Sequence, residues 1–493
     1  MRNEIIESQI KRAREAFIQD IWDTKEQVIC DLASSYYGGM PCHIFTITHG
    51  SFNICVCVQF DDPLGTSPCR WVIRIPFPGR VPWIDEKIDS EVATMKYVAE
   101  KTTIPIPKVH AWSYEAESPI GHAFIMMDYI QGVPLSALNF KMTEKWGHTR
   151  DGGRMPALAR VHDQLADLFI QLRSLEFSEI GALGMPTPES PGITIRHRPL
   201  PVEVALQEIE RLNPTVFFPE KTTFKTGHEY INALIKLGRN RLFKTKNLGV
   251  DSREAASEVV YAYHEFYADQ GPLWVRKLCS IDIDKGPFVL MHGDMALHGS
   301  NLLWDEKLNL VAVIDWEWCH TVPVSCFIPP AWLTGFFPNP IRQMCLFRIS
   351  HRSEMIGLCE SIADRSKACF PQSSLAHEWN HLPLEPFLMV VLPMLYPETI
   401  DDIFWDFMMH KIFVPPQSQV VEKRMEKFLE NIEVQGFIDR KMAQQEEYDK
   451  AYQAYIEEHG ESLDCHCQNC QREEQNFNVL RELPRLSPPS SSG

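Results

Sequence analysis

The segment from Phe288 to Glu317 constrains the fold of this 493-residue chain more than any other stretch. It contains two short apolar runs, 301–304 and 310–314, and the residues between them are polar. Runs of this length around a polar turn predict an antiparallel β-hairpin. Such a hairpin brings Asn301 and Asp315 to the same open end, although they are far apart in sequence.

A third oxygen donor precedes the hairpin. Asp294 lies on the stretch just before it, so Asp294, Asn301 and Asp315 are expected to share one small volume. Carboxylate and amide oxygens are the hard ligands that Mg²⁺ prefers, and the phosphates of a nucleotide would complete its coordination. The segment therefore predicts a magnesium and nucleotide site with an acid placed for proton abstraction.

Composition excludes several classes of protein. The net charge of −17 argues against a broad surface for nucleic acid or anionic lipid. Contents of 44% hydrophobic and 23% charged residues are those of a folded protein. The longest apolar run, 386–396, is too short to span a bilayer, which needs about 20 apolar residues. We expect no nucleic-acid and no membrane partner, and the sequence leaves protein partners open.

The compartment is predicted from the cysteines and the first residues. The start of the chain, 1–17, is charged and amphipathic, unlike a secretory signal or an acid-poor transit peptide. The 14 cysteines are scattered through the chain at low density, which is typical of reduced thiols. A cytoplasmic location is therefore expected.

Hydrophobic periodicity divides the chain into four parts. A helical extension over 1–40 precedes a strand-rich unit over 41–132, followed by a mainly helical region over 133–440 that holds the segment 288–317. The last part, 441–493, continues a charged helix and then becomes a polar tail predicted to be disordered. The predicted elements are a helix over 4–37, strands over 52–60, 71–75, 109–114 and 122–130, and helices over 85–101, 158–175, 202–212, 229–237, 253–278 and 419–458.

Several motifs together resemble the aminoglycoside phosphotransferase family, the small-molecule branch of the protein-kinase-like fold. The resemblance rests on His292-Gly293-Asp294, on Asn301 and on Ile314-Asp315-Trp316-Glu317. Further upstream, 48–53 resembles the phosphate-covering loop, 71–76 the strand with the basic residue, 91–95 the helix with its glutamate and 124–132 the interlobe linker. The resemblance implies an α+β, bilobal fold with a small antiparallel β-rich N-lobe and a mainly helical C-lobe.

The resemblance also implies roles for individual residues. Asp294 would act as catalytic base toward a hydroxyl, and Asn301 and Asp315 would hold Mg²⁺. Arg74, positioned by Glu91, would contact the phosphates of ATP or GTP. The other nucleotide-binding residues implied are Gly50, Ser51, Phe52, Asn53, Met127, Asp128 and Tyr129. The implied function is transfer of the γ-phosphate to a hydroxyl of a small molecule.

Two departures from kinase patterns bear on that function. Asp294 and Asn301 are seven residues apart, whereas kinases space them by five. Either two residues bulge out and Asn301 still points inward, or the metal site is damaged and the chain is an inactive nucleotide-binding or scaffold protein.

Gly293 replaces the arginine of protein kinases, and no Asp-Phe-Gly or Ala-Pro-Glu motif is present. The expected acceptor is therefore a small molecule.

Two other motifs carry metal-binding chemistry. The run 377–381 matches the H-E-x-x-H pattern of zinc proteases, but Pro383 would end the helix that such a site needs, so we interpret it as a chance match. Cys465, Cys467 and Cys470 could bind zinc in the tail, although no second cluster completes a tetrahedral site.

Overall fold

The strands of the small lobe, in which apolar and polar residues alternate, form an antiparallel sheet. The computed structural model of the protein describes residues 2–61, 68–138, 155–267, 283–295, 299–330, 333, 344–381, 384–405 and 417–460. Within the described small lobe, five strands pair in the order β1-β2-β3-β5-β4. They are β1 (Cys42–His49), β2 (Asn53–Phe60), β3 (Arg70–Pro76), β4 (Val109–Ser113) and β5 (Phe124–Asp128), with helix α3 (Ile84–Lys101) between β3 and β4.

Different helices pack against the two faces of this sheet. Trp71, Ile73 and Ile75 of β3 belong to a core shared with Ile21 and Ile29 of the N-terminal helices. These helices are α1 (Glu4–Thr24) and α2 (Glu26–Tyr36), so the single helix predicted over 4–37 is divided in two. Because side chains alternate along a strand, Arg74 lies on the opposite face, toward α3. The sequence predicted this placement.

The large lobe is mainly helical, as predicted. Its main hydrophobic core continues into the small lobe, because residues of α3 and β5 belong to the same cluster. Its described helices are α4 (Pro156–Arg173), α5 (Val202–Ile209), α6 (Gly227–Lys244), α7 (Arg253–Tyr267), α8 (Met344–Cys369), α9 (Leu375–His381), α10 (Leu384–Leu395), α11 (Ile400–Ile403), α12 (Gln417–Leu429) and α13 (Ile432–His459). The topology confirms the α+β bilobal, protein-kinase-like fold.

Short strands connect these helices. They are β6 (Glu176–Phe177), β7 (Ala182–Gly184), β8 (Thr194–His197), β9 (Phe288–Met291), β10 (Leu302–Trp304), β11 (Leu310–Val313) and β12 (His320–Pro323). The predicted hairpin is present, since β10 and β11 pair antiparallel. Strands β12, β9 and β6 form a second sheet, and β7 pairs with β8. The sequence did not predict β1, β6, β7, β8 or β12.

The charged segment near the end of the chain forms two helices. One helix was predicted over 419–458, but α12 ends at Leu429 and α13 begins at Ile432. The side chain of Asn431 accepts a hydrogen bond from the Glu433 amide at 2.9 Å. This N-cap explains the break, because a capping side chain satisfies an amide that the preceding helix cannot. None of the described helices is long and apolar enough to cross a bilayer.

Candidate functional site

The β10–β11 hairpin places Asn301 and Asp315 at its open end. Leu302 pairs with Val313, and the Ile314 amide donates to the Asn301 carbonyl at 2.9 Å. Asp315 follows with φ of 64°, in the left-handed region that non-glycine residues rarely adopt. Backbone strain of this kind costs about 1–3 kcal/mol and clusters at functional sites. The predicted juxtaposition at the end of the hairpin is present.

Asn301 and Asp294 are in contact despite their seven-residue spacing. The Asn301 Nδ2 donates to Asp294 Oδ2 at 3.1 Å, and Asn301 is 7% exposed. The side-chain amide of Asn301 therefore faces Asp294, and its oxygen remains for another ligand. The inward orientation expected from a bulge is thus present, while residues 296–298, where the extra length falls, lie outside the described residues.

His292 orients the loop that carries Asp294. Its Nδ1 accepts from the amides of Asp294 and Met295, at 3.3 and 3.1 Å, and its Nε2 is 3.0 Å from the Ile314 carbonyl. This pattern requires a neutral ring with the proton on Nε2. Burial lowers the pKa of His292 accordingly. The residue ties the Asp294 loop to the end of β11 and has a positioning role.

Gly293 is required by the close approach of the segment after Asp315. A Cβ at this position would lie 2.7 Å from the Glu317 carbonyl oxygen and 2.7 Å from atoms of Trp318. The Gly293 carbonyl accepts a hydrogen bond from the Tyr396 hydroxyl at 3.1 Å. A larger residue here, such as the arginine of protein kinases, would displace the 315–318 segment.

Arg74 is held by three acids from different elements. Its Nη1 pairs with Glu91 of α3, and its Nη2 pairs with Asp315 and, at 3.2 Å, with Glu317. The Arg74 side chain is 9% exposed. The arginine predicted on β3 and the glutamate predicted on α3 therefore form the expected pair, with two acids of the segment after β11 added to it.

Lys87 is a second buried cation that the sequence analysis did not identify. Its Nζ lies 2.9 Å from Glu91 Oε2, 2.8 Å from Glu317 Oε2 and 2.9 Å from Asn53 Oδ1. The Asn53 amide also donates to Glu317 Oε2 at 3.1 Å. The Asn53 side chain, predicted to bind nucleotide, is thus engaged in this buried network. The i,i+4 spacing of Lys87 and Glu91 on α3 is the sequence signal that could have suggested the pair.

The charges of this cluster do not balance. Arg74 and Lys87 face Glu91, Asp315 and Glu317, which leaves one negative charge in excess when all three acids are ionised. Burial raises the pKa of Asp315 to about 8, with the neighbouring acids adding to the effect of burial. Glu317 is also buried, but Lys87 and Arg74 lower its pKa to about 2.

The donor set fits a magnesium ion. Asp315 pairs with Arg74 through Oδ1, and its side chain is 27% exposed. Asp315 Oδ2 and the Asn301 amide oxygen are hard donors, and a divalent cation would neutralise the excess charge. Among the described residues no three His, Cys, Asp or Glu side chains group as a metal site by themselves.

The predicted phosphate loop is the turn between β1 and β2. The Gly50 amide donates to the Asn53 carbonyl at 3.0 Å, and Ser51 is exposed at the tip. The ring of Phe52 meets the ring of Trp318 edge-on, with centroids 5.3 Å apart. The loop therefore lies against the segment that follows Asp315.

The predicted linker residues connect the lobes. Met127 is buried, while the Asp128 carboxylate lies 2.7 Å from His110 Nε2. The Tyr129 amide donates to the Arg70 carbonyl at 3.0 Å. Val133 exchanges two backbone hydrogen bonds with Trp304, at 3.0 and 2.8 Å. The linker is thus bonded directly to the hairpin that positions Asn301.

The H-E-x-x-H run has a structural role. Glu378 accepts from Arg173 Nε and Nη2 at 2.8 and 2.7 Å, which joins α9 to α4. The carboxylate is thus occupied by a guanidinium, in agreement with a chance match. The cysteines at 465, 467 and 470 lie outside the described residues.

The chain is similar to known proteins over part of its length. The model of the phosphotransferase enzyme family matches residues 61–326. Clavilactone A biosynthesis cluster protein Y of Ampulloclitocybe clavipes is 25% identical over 253 residues, which cover 51% of this chain and 54% of that protein. Altered inheritance of mitochondria protein 9 of Zygosaccharomyces rouxii is 32% identical over 117 residues, 23% of this chain and 18% of that protein. The match thus spans about half of the length of the first relative and less than a fifth of the length of the second.

A solved structure is also similar. The spectinomycin phosphotransferase crystallised with ADP and spectinomycin has 13% identity, with 85% of this chain and 98% of that chain aligned and a TM-score of 0.36.

Proposed function

Because this chain belongs to the phosphotransferase enzyme family, we propose that it transfers the γ-phosphate of ATP or GTP to a hydroxyl of a small molecule. The acceptor is a small molecule in this proposal because Gly293 stands where protein kinases carry arginine, and the packing around it admits no side chain.

The contact between Asn301 and Asp294 carries the proposal. It supports an intact site despite the seven-residue spacing, because the amide is buried against the carboxylate at 3.1 Å. The end of the hairpin adds Asp315 to the same cluster. Phosphoryl transfer depends on positioning and charge neutralisation, so these few groups are sufficient for it.

Each residue has a distinct role in the proposed reaction. Asp294 is half-buried and accepts the proton of the acceptor hydroxyl as that oxygen attacks the γ-phosphorus. The bond from the γ-phosphorus to the β,γ-bridging oxygen breaks in this step, and ADP or GDP leaves. Arg74, held by Glu91, contacts the phosphates of the nucleotide. Asn301 and Asp315 would hold Mg²⁺, which supplies neutralisation of charge on the phosphates when it is bound. His292 and Lys87 position the segments that carry these groups.

The proposal is tested by Asp294→Asn. Phosphate transfer from γ-labelled ATP to a library of hydroxylated metabolites is expected to fall by about 100-fold or more, because the base is lost. Magnesium-dependent ATP binding, measured by calorimetry, is expected to remain. Glu306→Gln is the matched control, since it removes an exposed acid from the turn of the same hairpin. Transfer that survives Asp294→Asn would contradict the assignment of the base.

The alternative function is an inactive nucleotide-binding or scaffold protein. The observation that favours it is the engagement of both Arg74 and Asn301 by carboxylates within the site. This alternative predicts ATP binding without transfer to any acceptor and no effect of Asp294→Asn in the same assay. Transfer to a single acceptor that depends on Asp294 would exclude it.

We also propose a cytoplasmic location. The described cysteines are all free thiols, which supports a reducing compartment. Several curated relatives carry the word mitochondrial in their names, and the mitochondrial matrix is the competing compartment. Imaging of the whole chain with a fluorescent protein at its C-terminus separates the two, because matrix localisation would contradict the proposal.

A further inference from the structure

A cavity of about 400 Å³ lies between α1, α13 and the phosphate loop. Ser51 at the tip of that loop contributes to one wall, and Tyr452 of α13 contributes to another. Arg80, on the connection between β3 and α3, completes the wall of the small lobe. We call it the α1 cavity. Its volume is in the range of small-molecule sites, which is about 300–1,000 Å³.

One stripe of α1 faces this cavity. Glu4, Glu7, Ser8, Lys11 and Arg14 all line it, and they follow one another at intervals of one or three residues. This spacing places them on a single face of a helix. One face of α1 therefore forms a wall of the cavity.

The lining carries more positive than negative charge. Arg2, Lys11, Arg14 and Arg80 face two acids, Glu4 and Glu7. Glu7 pairs with Arg80 at 2.7 Å, and Arg2 pairs with Glu398 outside the cavity at 3.2 Å.

After these pairs, Lys11 and Arg14 remain beside Glu4, which leaves one positive charge in excess. In the part of the chain that the structure describes, neither Lys11 nor Arg14 forms an ion pair with an acid. The Arg14 Nε is also buried and donates to no acceptor among the described residues. A buried donor without an acceptor is uncommon in proteins, and an anionic ligand or a water molecule can satisfy it.

We propose that the α1 cavity binds a small polyanion, a polyphosphate chain, at a site that shares Ser51 but none of the other residues proposed to bind the nucleotide. Lys11 and Arg14 supply positive charge, Arg80 contributes from the small lobe, and the Ser51 hydroxyl donates a hydrogen bond. A bound chain of this kind would link α1 to the phosphate loop. The site does not depend on phosphotransfer, because neither Asp294 nor Asp315 lines it.

Inorganic triphosphate is the probe that tests this site. The full chain is titrated by calorimetry at low salt with EDTA present, so that metal does not contribute. Removing two of the facing charges in Lys11→Gln/Arg14→Gln is expected to weaken binding by about tenfold or more, because such pairs are only partly screened near a protein surface. The matched control Lys423→Gln/Lys427→Gln removes two exposed lysines of α12 and is expected to change the affinity by less than about twofold, since distant charges are screened.

A second measurement locates the bound probe in the wild-type chain. Hydrogen exchange is expected to slow in α1 and in residues 77–83 when triphosphate is added. Protection confined to the linker 124–132, or equal affinity of the Lys11/Arg14 variant and the wild type, would overturn the inference by placing the anion in the cleft. If Asp294→Asn abolishes phosphate transfer but leaves triphosphate binding unchanged, both the proposed active site and the α1 cavity site are supported. If the wild-type chain transfers no phosphate at all, the proposed function fails, but triphosphate binding in the α1 cavity is still decided by the Lys11/Arg14 variant.

Discussion

Lys87 shows how a single buried residue joins the parts of the site. Its ammonium group contacts Glu91 of α3, Glu317 after β11 and Asn53 at the start of β2. Three segments that the sequence places far apart thus share one cation. Since each of these partners is itself buried, the positions of the phosphate loop, of α3 and of the segment after Asp315 depend on one another.

Lys87→Met is expected to lower the free energy of unfolding by about 3–5 kcal/mol, because it leaves buried carboxylates without a partner. Urea unfolding measures the change. Lys101→Met is the control on the same helix, where the lysine is half exposed and pairs with Glu100. The control is expected to leave stability nearly unchanged, because an exposed ion pair contributes little. Equal effects of the two substitutions would show that the Lys87 network contributes little.

Gly293→Ala tests the close approach beside Asp294. The added Cβ would meet backbone atoms of the 317–318 segment at 2.7 Å, which cannot give way as a flexible side chain would. Destabilisation of about 1–3 kcal/mol is expected, measured by urea unfolding. Gly436→Ala is the control, because its Cβ would meet only the end of Arg440 at 3.8 Å. That change in the interior of α13 should stabilise the protein by about 0.5–1 kcal/mol, and a stabilising Gly293→Ala would contradict the packing described here.

Single residues of the site differ in how far the sequence predicts them. The Arg74–Glu91 pair was predicted from the resemblance to the family, and strand alternation also placed Arg74 away from the apolar face of β3. The role of Lys87 was not, since a Lys and a Glu at i,i+4 on a helix usually form an exposed pair. The Asn301–Asp294 contact was one of two open alternatives, because no rule of spacing says how a loop with two extra residues folds.

At the scale of elements, α3 is fixed to the large lobe as well as to its own sheet. Asp89 of α3 lies 2.6 Å from His197 Nε2 of β8, and Glu86 pairs with Arg198 at 2.8 Å. The β7–β8 pair that carries these partners was not predicted, because strands of three or four residues are too short to show alternation. The position of Glu91 therefore depends on elements that only the structure reveals.

Strand β12 contains a histidine whose burial makes stability depend on pH. Both ring nitrogens of His320 are hydrogen-bonded, to the Tyr230 hydroxyl at 2.8 Å and to the Trp318 carbonyl at 3.0 Å. Burial lowers the pKa of His320 to about 4. Between that value and the unfolded pKa of about 6.5, the unfolded chain binds more protons than the folded one, so stability falls as pH falls.

The stabilisation from neutral His320 is expected to be complete above pH of about 6.5 and to decrease by about 3 kcal/mol as pH approaches 4. Urea unfolding at a series of pH values, compared between the wild type and His320→Asn, isolates this contribution. The variant should show a smaller loss over the same window, since asparagine does not titrate. Parallel pH profiles of the two proteins would refute the assignment.

At the scale of the whole molecule, the N-terminal extension is part of the folded body. Helices α1 and α2 cover the outer face of the small-lobe sheet, where Ile54, Val56 and Ile73 are fully buried. The Glu4 amide also donates to the Tyr448 hydroxyl of α13 at 2.7 Å. Periodicity predicted the helices, but it could not predict this docking, because an amphipathic stripe does not identify the surface that covers it.

Removal of residues 1–40 is expected to expose this apolar sheet face and to cause aggregation. The soluble fraction and the melting temperature of the shortened chain, compared with those of the full chain, test the expectation. Ile29→Ala in the full chain is a milder test of the same contact, and about 2–5 kcal/mol of destabilisation is expected for a buried isoleucine. A soluble shortened chain with an unchanged melting temperature would mean that the extension is an independent appendage.

The double attachment of α1 bears on how fast the cleft exchanges its contents. The helix is fastened to the small lobe by Glu7–Arg80 and to α13 by Arg12, whose guanidinium donates to the His459 carbonyl at 2.5 Å. Any movement that separates the small lobe from α13 would have to break one of these two contacts. Because the Glu7 side chain is partly exposed, added electrolyte weakens its pair with Arg80. If nucleotide binds in the cleft as proposed, its residence time should therefore shorten as ionic strength rises.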